Sequence, residues 1–161
     1  MVRKLLVEGL AERWDGTTEA LLHFAARRDH LRSTVWPALK RGTWVISDRF
    51  ADSTRAYQGN GHGIDLASLD RLYDIAVGDF HPDLTLILDL PVERGLARAA
   101  SRRGSETRYE SLPRAFHERV RQGFLEIAAR EPKRCVVIDA TQGIDVIAAA
   151  IARAVGERLV A

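Results

Sequence analysis

The sequence predicts an α/β domain built on a parallel sheet, and three observations carry that prediction. First, the runs TWVIS at 43–47, LTLILDL at 84–90 and RCVVIDA at 134–140 are nearly continuous in apolar residues. That is the pattern of strands covered by helices on both faces. Second, these runs reach an aspartate at or near the C-terminal end, in turn Asp48, Asp89 and Asp139. Third, the intervals between them repeat apolar positions every three or four residues, and strand–helix alternation of this kind builds a parallel sheet.

In chain order, residues 18–40 read as the first helix, with Thr17 or Thr18 as its N-cap. The strand at 43–47 then delivers Asp48 and Arg49 to a stretch reading FADSTRAYQGNG, which ends as a glycine-rich loop. Further helices are predicted at 66–78, 92–101, 112–130 and 143–158, with Ser111 and Pro113 opening the one at 112–130. No repeat, linker or low-complexity tract interrupts the chain, so residues 1–161 read as one domain. Ligands of such sheets bind beyond the carboxyl ends of the strands, which puts Asp48 and the residues after it at the functional edge.

Bulk composition excludes more than it selects. The chain has 161 residues, 46% apolar and 29% charged, enough for one domain with its own core. A balance of 24 Lys+Arg against 22 Asp+Glu gives a net charge of only +2, so charge alone is no argument for a nucleic-acid partner. The arginines crowd locally, between residues 94 and 121. A single cysteine, Cys135, excludes an internal disulfide and reads as a small buried hydrophobe. With no secretory segment and no long apolar span, the expected location is cytoplasmic, without a membrane partner.

Each chemical constellation also has a structural reading. Arg49 can clamp a phosphate while Asp48 organises a metal ion or orients the arginine, yet the same pair suits an ion pair closing a strand. Ser53, Tyr57 and Gln58 supply hydrogen-bonding groups, and Gly59, Gly61 and Gly63 either admit a ligand to the backbone or make turns. Phe24 and Arg28 are four apart, so they share a helix face that could hold a planar base, or they are a core aromatic and a solvated arginine. His23 and His30 have no second partner at metal-ligand spacing. Residues 98–110, RAASRRGSETRYE, place four arginines around a glycine, as suits a lid over a polyphosphate or a solvated basic loop. Tyr109 alone interleaves them, too little for a nucleic-acid stacking platform.

Taken as a set and in order, TEALLHFAARRDHL, GTWVISDRFADSTRAYQGNGHGID, HPDLTLILDLPVERGLARA and VIDATQ resemble bacterial thymidylate kinases over nearly the whole chain. The resemblance implies the P-loop nucleoside monophosphate kinase fold, a parallel sheet with flanking helices. It also implies Mg²⁺-assisted transfer of the ATP γ-phosphate to dTMP, giving dTDP, by a homodimer. Carried over by position, Phe24 would stack on thymine and Arg28 would bond its carbonyl edge. Arg49 would hold the acceptor phosphate with Asp48 beside it near Mg²⁺, and Ser53, Thr54, Tyr57 and Gln58 would line the nucleoside pocket. Arg102, Arg103 and Arg108 would be cations of a lid at about 98–111, acting on the donor phosphates as such transfers require. Arg98, Ala140, Thr141 and Gln142 would lie on the ATP side.

Two departures from the family pattern stand out. Where many members have Asp-Arg-aromatic-Glu in the lid, this chain reads Thr107-Arg108-Tyr109-Glu110. The family also opens with a strand, a G-x-x-x-x-G-K-[ST] phosphate loop, a helix and a second strand, and the 161 residues contain no such loop. The expectation is a chain short of that unit by roughly 40 to 55 residues, with strand edges left unpaired and kinase activity negligible. The alternative is a non-catalytic nucleotide-binding or dimer-forming remnant of the same family.

Overall fold

The computed structural model describes residues 13–101 and 109–160. Helix α1 (Gly16–His30) is capped by Asp15, whose carboxylate accepts from the Thr18 amide at 2.8 Å. The cap therefore precedes the expected Thr17 or Thr18. The Thr18 hydroxyl itself donates to Asp15 at 3.2 Å, so the carboxylate takes the capping role. The helix runs through a widened turn, Leu31–Val35, into α2 (Trp36–Lys40). Widening lets Pro37 sit inside a continuous helix, where its missing N–H and its ring would otherwise break the ladder.

Residues 43–47, expected as a strand, form no strand and pair with none among the described residues. Trp44 is 63% exposed and Ile46 96%, while Val45 alone of the run packs against the core cluster of Phe24, Leu31 and Tyr73. An apolar run supplies strand propensity, but a strand exists through its ladder and the cover on its faces. Neither meets Trp44 or Ile46 here.

The glycine-rich loop expected before Gly61 is instead helical: α3 (Ala51–Thr54) continues as the widened helix Arg55–Gly61. Two of its glycines serve packing. A Cβ on Gly61 would lie 2.6 Å from Phe116 Cε2, and one on Gly59 would lie 2.6 Å from Leu66 Cδ2. Gly63, at φ +80°, is the one of the three that needs glycine's backbone freedom.

Helix α4 (Leu66–Ala76), capped by Asp65, leads to strand β1 (Thr85–Asp89). Helices α5 (Val92–Ala100) and α6 (Arg114–Arg130) precede strand β2 (Cys135–Asp139), and α7 (Ile144–Val155) ends in the widened turn Gly156–Val160. Helix α6 begins after Pro113 with no side-chain cap, so Ser111 does not open it as expected. The strands pair in parallel, Thr85 opposite Cys135 through Asp89 opposite Asp139. The two strand predictions at 84–90 and 134–140 are thus realised, with both aspartates at one end of the sheet.

The interior comprises three apolar clusters: α1 with α4, α3 with α6, and the strands with α6 through Ile87, Ile127 and Cys135. Arg134 ties the strands to α3. It makes a bidentate pair with Asp52 at 2.8 and 3.1 Å and reaches Thr85 Oγ1 at 2.7 Å. Burial opposes its charge, but Asp52 and Glu131 outweigh that cost and hold the guanidinium above its ordinary pKa.

Candidate active site

Asp48 and Arg49 form the turn before α3, and both are exposed. Arg49 has a φ of +69°, which an L-residue other than glycine adopts rarely. Its carbonyl accepts from the Ser47 hydroxyl at 2.9 Å, and its guanidinium stands 5.0 Å above the Tyr57 ring. Tyr57 is fixed in turn by edge contacts with Tyr109, Phe116 and Phe124 at centroid distances of 5.3 to 6.3 Å.

The structure separates Phe24 from Arg28. Phe24 is buried edge-on against Tyr73, whereas Arg28 is exposed, with its guanidinium over Trp36 and a bond to the Ala76 carbonyl. Arg27 is the guanidinium beside Phe24. It lies 4.9 Å from that ring and 5.3 Å from Phe50, and its Nη2 donates to Phe50 O at 3.1 Å and Thr54 Oγ1 at 3.2 Å. Its Nη1 is buried with no hydrogen-bond partner among the described residues. Burial draws the Arg27 pKa down to about 10, against the opposing field of Asp52. Helical spacing alone favoured the i,i+4 pair, but the π-face contact is made at i,i+3.

Further along the same helix seam, Gln58 donates through Nε2 to Glu19 at 2.8 Å. Glu19 also accepts from the Tyr109 hydroxyl at 3.0 Å, with His62 Nε2 at 3.6 Å. The sequence carries no further signal for Glu19, since a glutamate in the first turn of a helix marks only dipole compensation. Ser53, partly buried, donates its amide to Phe50 O, and Thr54 is buried. Arg27 thus meets Thr54, Gln58 meets Glu19, and Arg49 stands over Tyr57.

At the carboxyl end of the sheet, Arg98 reaches Ala140 O at 3.4 Å and Arg94 reaches Thr141 O at 3.2 Å. The grouping of Arg98 with Ala140, Thr141 and Gln142 is therefore realised in space. Asp139 is held down to about 2 by the Gln142 amide and by Thr141. Asp89 is gripped by Arg121 at 2.7 and 2.8 Å, which keeps its carboxyl below the usual range. Arg102, Arg103 and Arg108 lie outside the described residues.

A parallel sheet with flanking helices, carrying cations and amide groups at its carboxyl edge, is the fold of P-loop nucleoside monophosphate kinases. Residues 1–151 match the sequence profile of thymidylate kinases. The thymidylate kinase of Caulobacter vibrioides is 54% identical over 158 residues, covering 98% of this chain and 76% of that protein. That of Rhodopseudomonas palustris is 52% identical over 161 residues, covering 98% and 70%. The crystal structure of thymidylate kinase from Ehrlichia chaffeensis superposes with a TM-score of 0.70 at 35% identity, over 95% of this chain and 71% of that one. The chain belongs to the thymidylate kinase family, whose members are ATP-dependent kinases of dTMP. Among the described residues, no helix is long and apolar enough to cross a membrane.

Proposed function

We propose that the site around Arg49 binds dTMP as the phosphate acceptor, with ATP as donor. The observation that carries this reading is the buried, unpartnered Nη1 of Arg27 between the Phe24 and Phe50 rings. An N–H left without an acceptor costs about 1–3 kcal/mol, and a carbonyl of a planar base would satisfy it. On this reading Arg27, rather than Arg28, takes the base-edge role, and Phe24 forms the wall beneath it. Ser53, Thr54, Tyr57 and Gln58 line the nucleoside side. Arg49 clamps the acceptor phosphate from its position over Tyr57, so that the attacking oxygen is held in place for transfer.

The donor lies towards Arg94, Arg98 and the loop of Ala140, Thr141 and Gln142. Arg102, Arg103 and Arg108 belong to the same proposal, as cations on the donor phosphates. Mg²⁺ takes one or two carboxylates together with phosphate oxygens and water, and Asp48, an exposed carboxylate beside Arg49, fits as the single protein ligand. Bound there, the ion would neutralise charge on the phosphates.

The 161 residues hold no glycine-rich phosphate loop with its lysine, and none of the groups above duplicates that backbone N–H cradle. We therefore expect the 161-residue polypeptide to bind dTMP yet turn over negligibly. Calorimetric titration with dTMP and a coupled assay with ATP and Mg²⁺ check both halves. Turnover at ordinary kinase rates would overturn the second, and absence of dTMP binding the first. Negligible turnover with binding retained is also what a non-catalytic nucleotide-binding protein would give. A homodimer would cover exposed apolar side chains such as Leu21 and Ile75.

A further inference from the structure

We propose that Glu19 is a specificity-determining positioning residue, which fixes the Gln58 amide so that its carbonyl Oε1 faces the base. The proposal rests on the reading of Gln58 as a lining residue of the nucleoside pocket. Glu19 and Gln58 are each 1% exposed, and the Gln58 Nε2 lies 2.8 Å from Glu19 Oε2. A carboxylate oxygen accepts, so of the two ends of a glutamine amide it takes the NH₂. The Tyr109 hydroxyl, 3.4 Å from the same Nε2, spends its proton on Glu19 at 3.0 Å and is left as a second acceptor for that NH₂. Both neighbours therefore hold the amide the same way round.

The consequence is chemical. An acceptor at Oε1 matches a pyrimidine whose N3 carries a hydrogen, and opposes one whose N3 is itself an acceptor. Arg27, two turns further along α1, offers donors that match a ring carbonyl and oppose an exocyclic amino group. Thymine and uracil satisfy both groups, and cytosine satisfies neither. Glu19 acts only through Gln58 and need not touch the ligand. Burying a carboxylate is unfavourable in itself, and a group retained at that cost beside a recognition residue serves to select one arrangement.

The test is the ratio of dissociation constants for dCMP and dTMP, measured by calorimetry on the whole chain. The wild type should prefer dTMP by roughly tenfold or more, the scale of one unpaired buried polar group. In Glu19→Gln, the new side chain can donate as well as accept, Gln58 can turn over, and the ratio should fall towards one. Tyr109→Phe removes the longer 3.4 Å contact but leaves the Glu19–Gln58 bond, so it should lower the ratio less than Glu19→Gln does. An unchanged ratio in folded E19Q, or a collapsed one in Y109F, overturns the proposal. A purely structural Glu19 would lower the melting temperature and weaken both nucleotides alike. A measurement on the wild type covers a variant that fails to fold: with dTMP bound, the Gln58 NH₂ protons should stay slowly exchanging. Their rapid exchange overturns the proposal. If the wild type binds neither nucleotide, the reading of the pocket fails and this inference with it; equal binding of both defeats the inference alone.

Discussion

Arg49 is the residue on which most of the site converges. Its left-handed backbone, the Ser47 bond to its carbonyl and the Tyr57 ring beneath its guanidinium together fix the direction of the cation. A cation so held should discriminate the phosphate rather than the nucleoside. Arg49→Ala should weaken dTMP by about ten- to a hundredfold, the scale of a charge-assisted pair, and leave thymidine within about twofold. Equal losses for the two ligands, measured by titration, would contradict that role. Asp139 allows a second test at this scale. Its pKa is depressed to about 2 in the folded chain, first by Gln142 and then by Thr141, from an ordinary value near 3.8. A depressed carboxylate stabilises the fold above its unfolded pKa, and that contribution is lost as pH falls through the folded value. Asp139→Asn should therefore melt lower than wild type at neutral pH, with the gap closing between about pH 4 and pH 2. A gap that persists or widens at pH 2 would rule this account out.

Among the elements, the widened helix Arg55–Gly61 departs most from what its composition suggests. Arg119 donates to the carbonyls of Asn60 and Gly61, securing a helix end whose last acceptors would otherwise be unpaired. Gly61 and Gly123 let α6 approach closely, since an added Cβ on Gly123 would strike Asn60 at 2.6 Å. In an exposed helix Gly→Ala gains up to about 1 kcal/mol. Here overpacking should reverse the sign, and Gly61→Ala is expected to destabilise by about 1–3 kcal/mol in urea unfolding. A stabilised variant would show that Phe116 and Val120 can yield at no cost.

Across the whole molecule, the strands and the helices that carry the site are joined through Arg134. This guanidinium sits between Asp52 at the start of α3, Glu131 at the end of α6 and Thr85 on β1. The side chains of Arg134 and Asp52 are only 12% and 7% exposed. Removing one partner of such a pair leaves a buried charge uncompensated, so Asp52→Ala should cost about 3–5 kcal/mol. The double variant Asp52→Ala/Arg134→Met should recover much of that loss, because it removes the stranded charge. Thermal unfolding of both variants is the check, and equal destabilisation would mean that packing, not charge pairing, joins the layers.

The strands at Thr85–Asp89 and Cys135–Asp139 and helix α4 could be read from the sequence, because unbroken apolar runs and a 3.6-residue period are local signals. The same physics predicted a strand at 43–47 and a loop through Gly61. Both failed because pairing and close approach are properties of neighbours, not of a segment. Trp44 and Ile46 have strand propensity but no ladder partner among the described residues. Gly59 and Gly61 face Leu66 and Phe116, contacts that arise only once helices pack. The site divides in the same way. The sequence by itself determined the family, because that follows from the order of motifs along the chain. The expected placing of Asp48 and Arg49 at a sheet's carboxyl edge rested instead on a strand at 43–47 that does not form among the described residues. Only the tertiary structure decided that Arg27, not Arg28, stands beside Phe24, and that Glu19 commits the Gln58 amide. Those choices turn on which side of a helix another element covers, and that is decided by where the burial and hydrogen bonding of distant residues can be satisfied together.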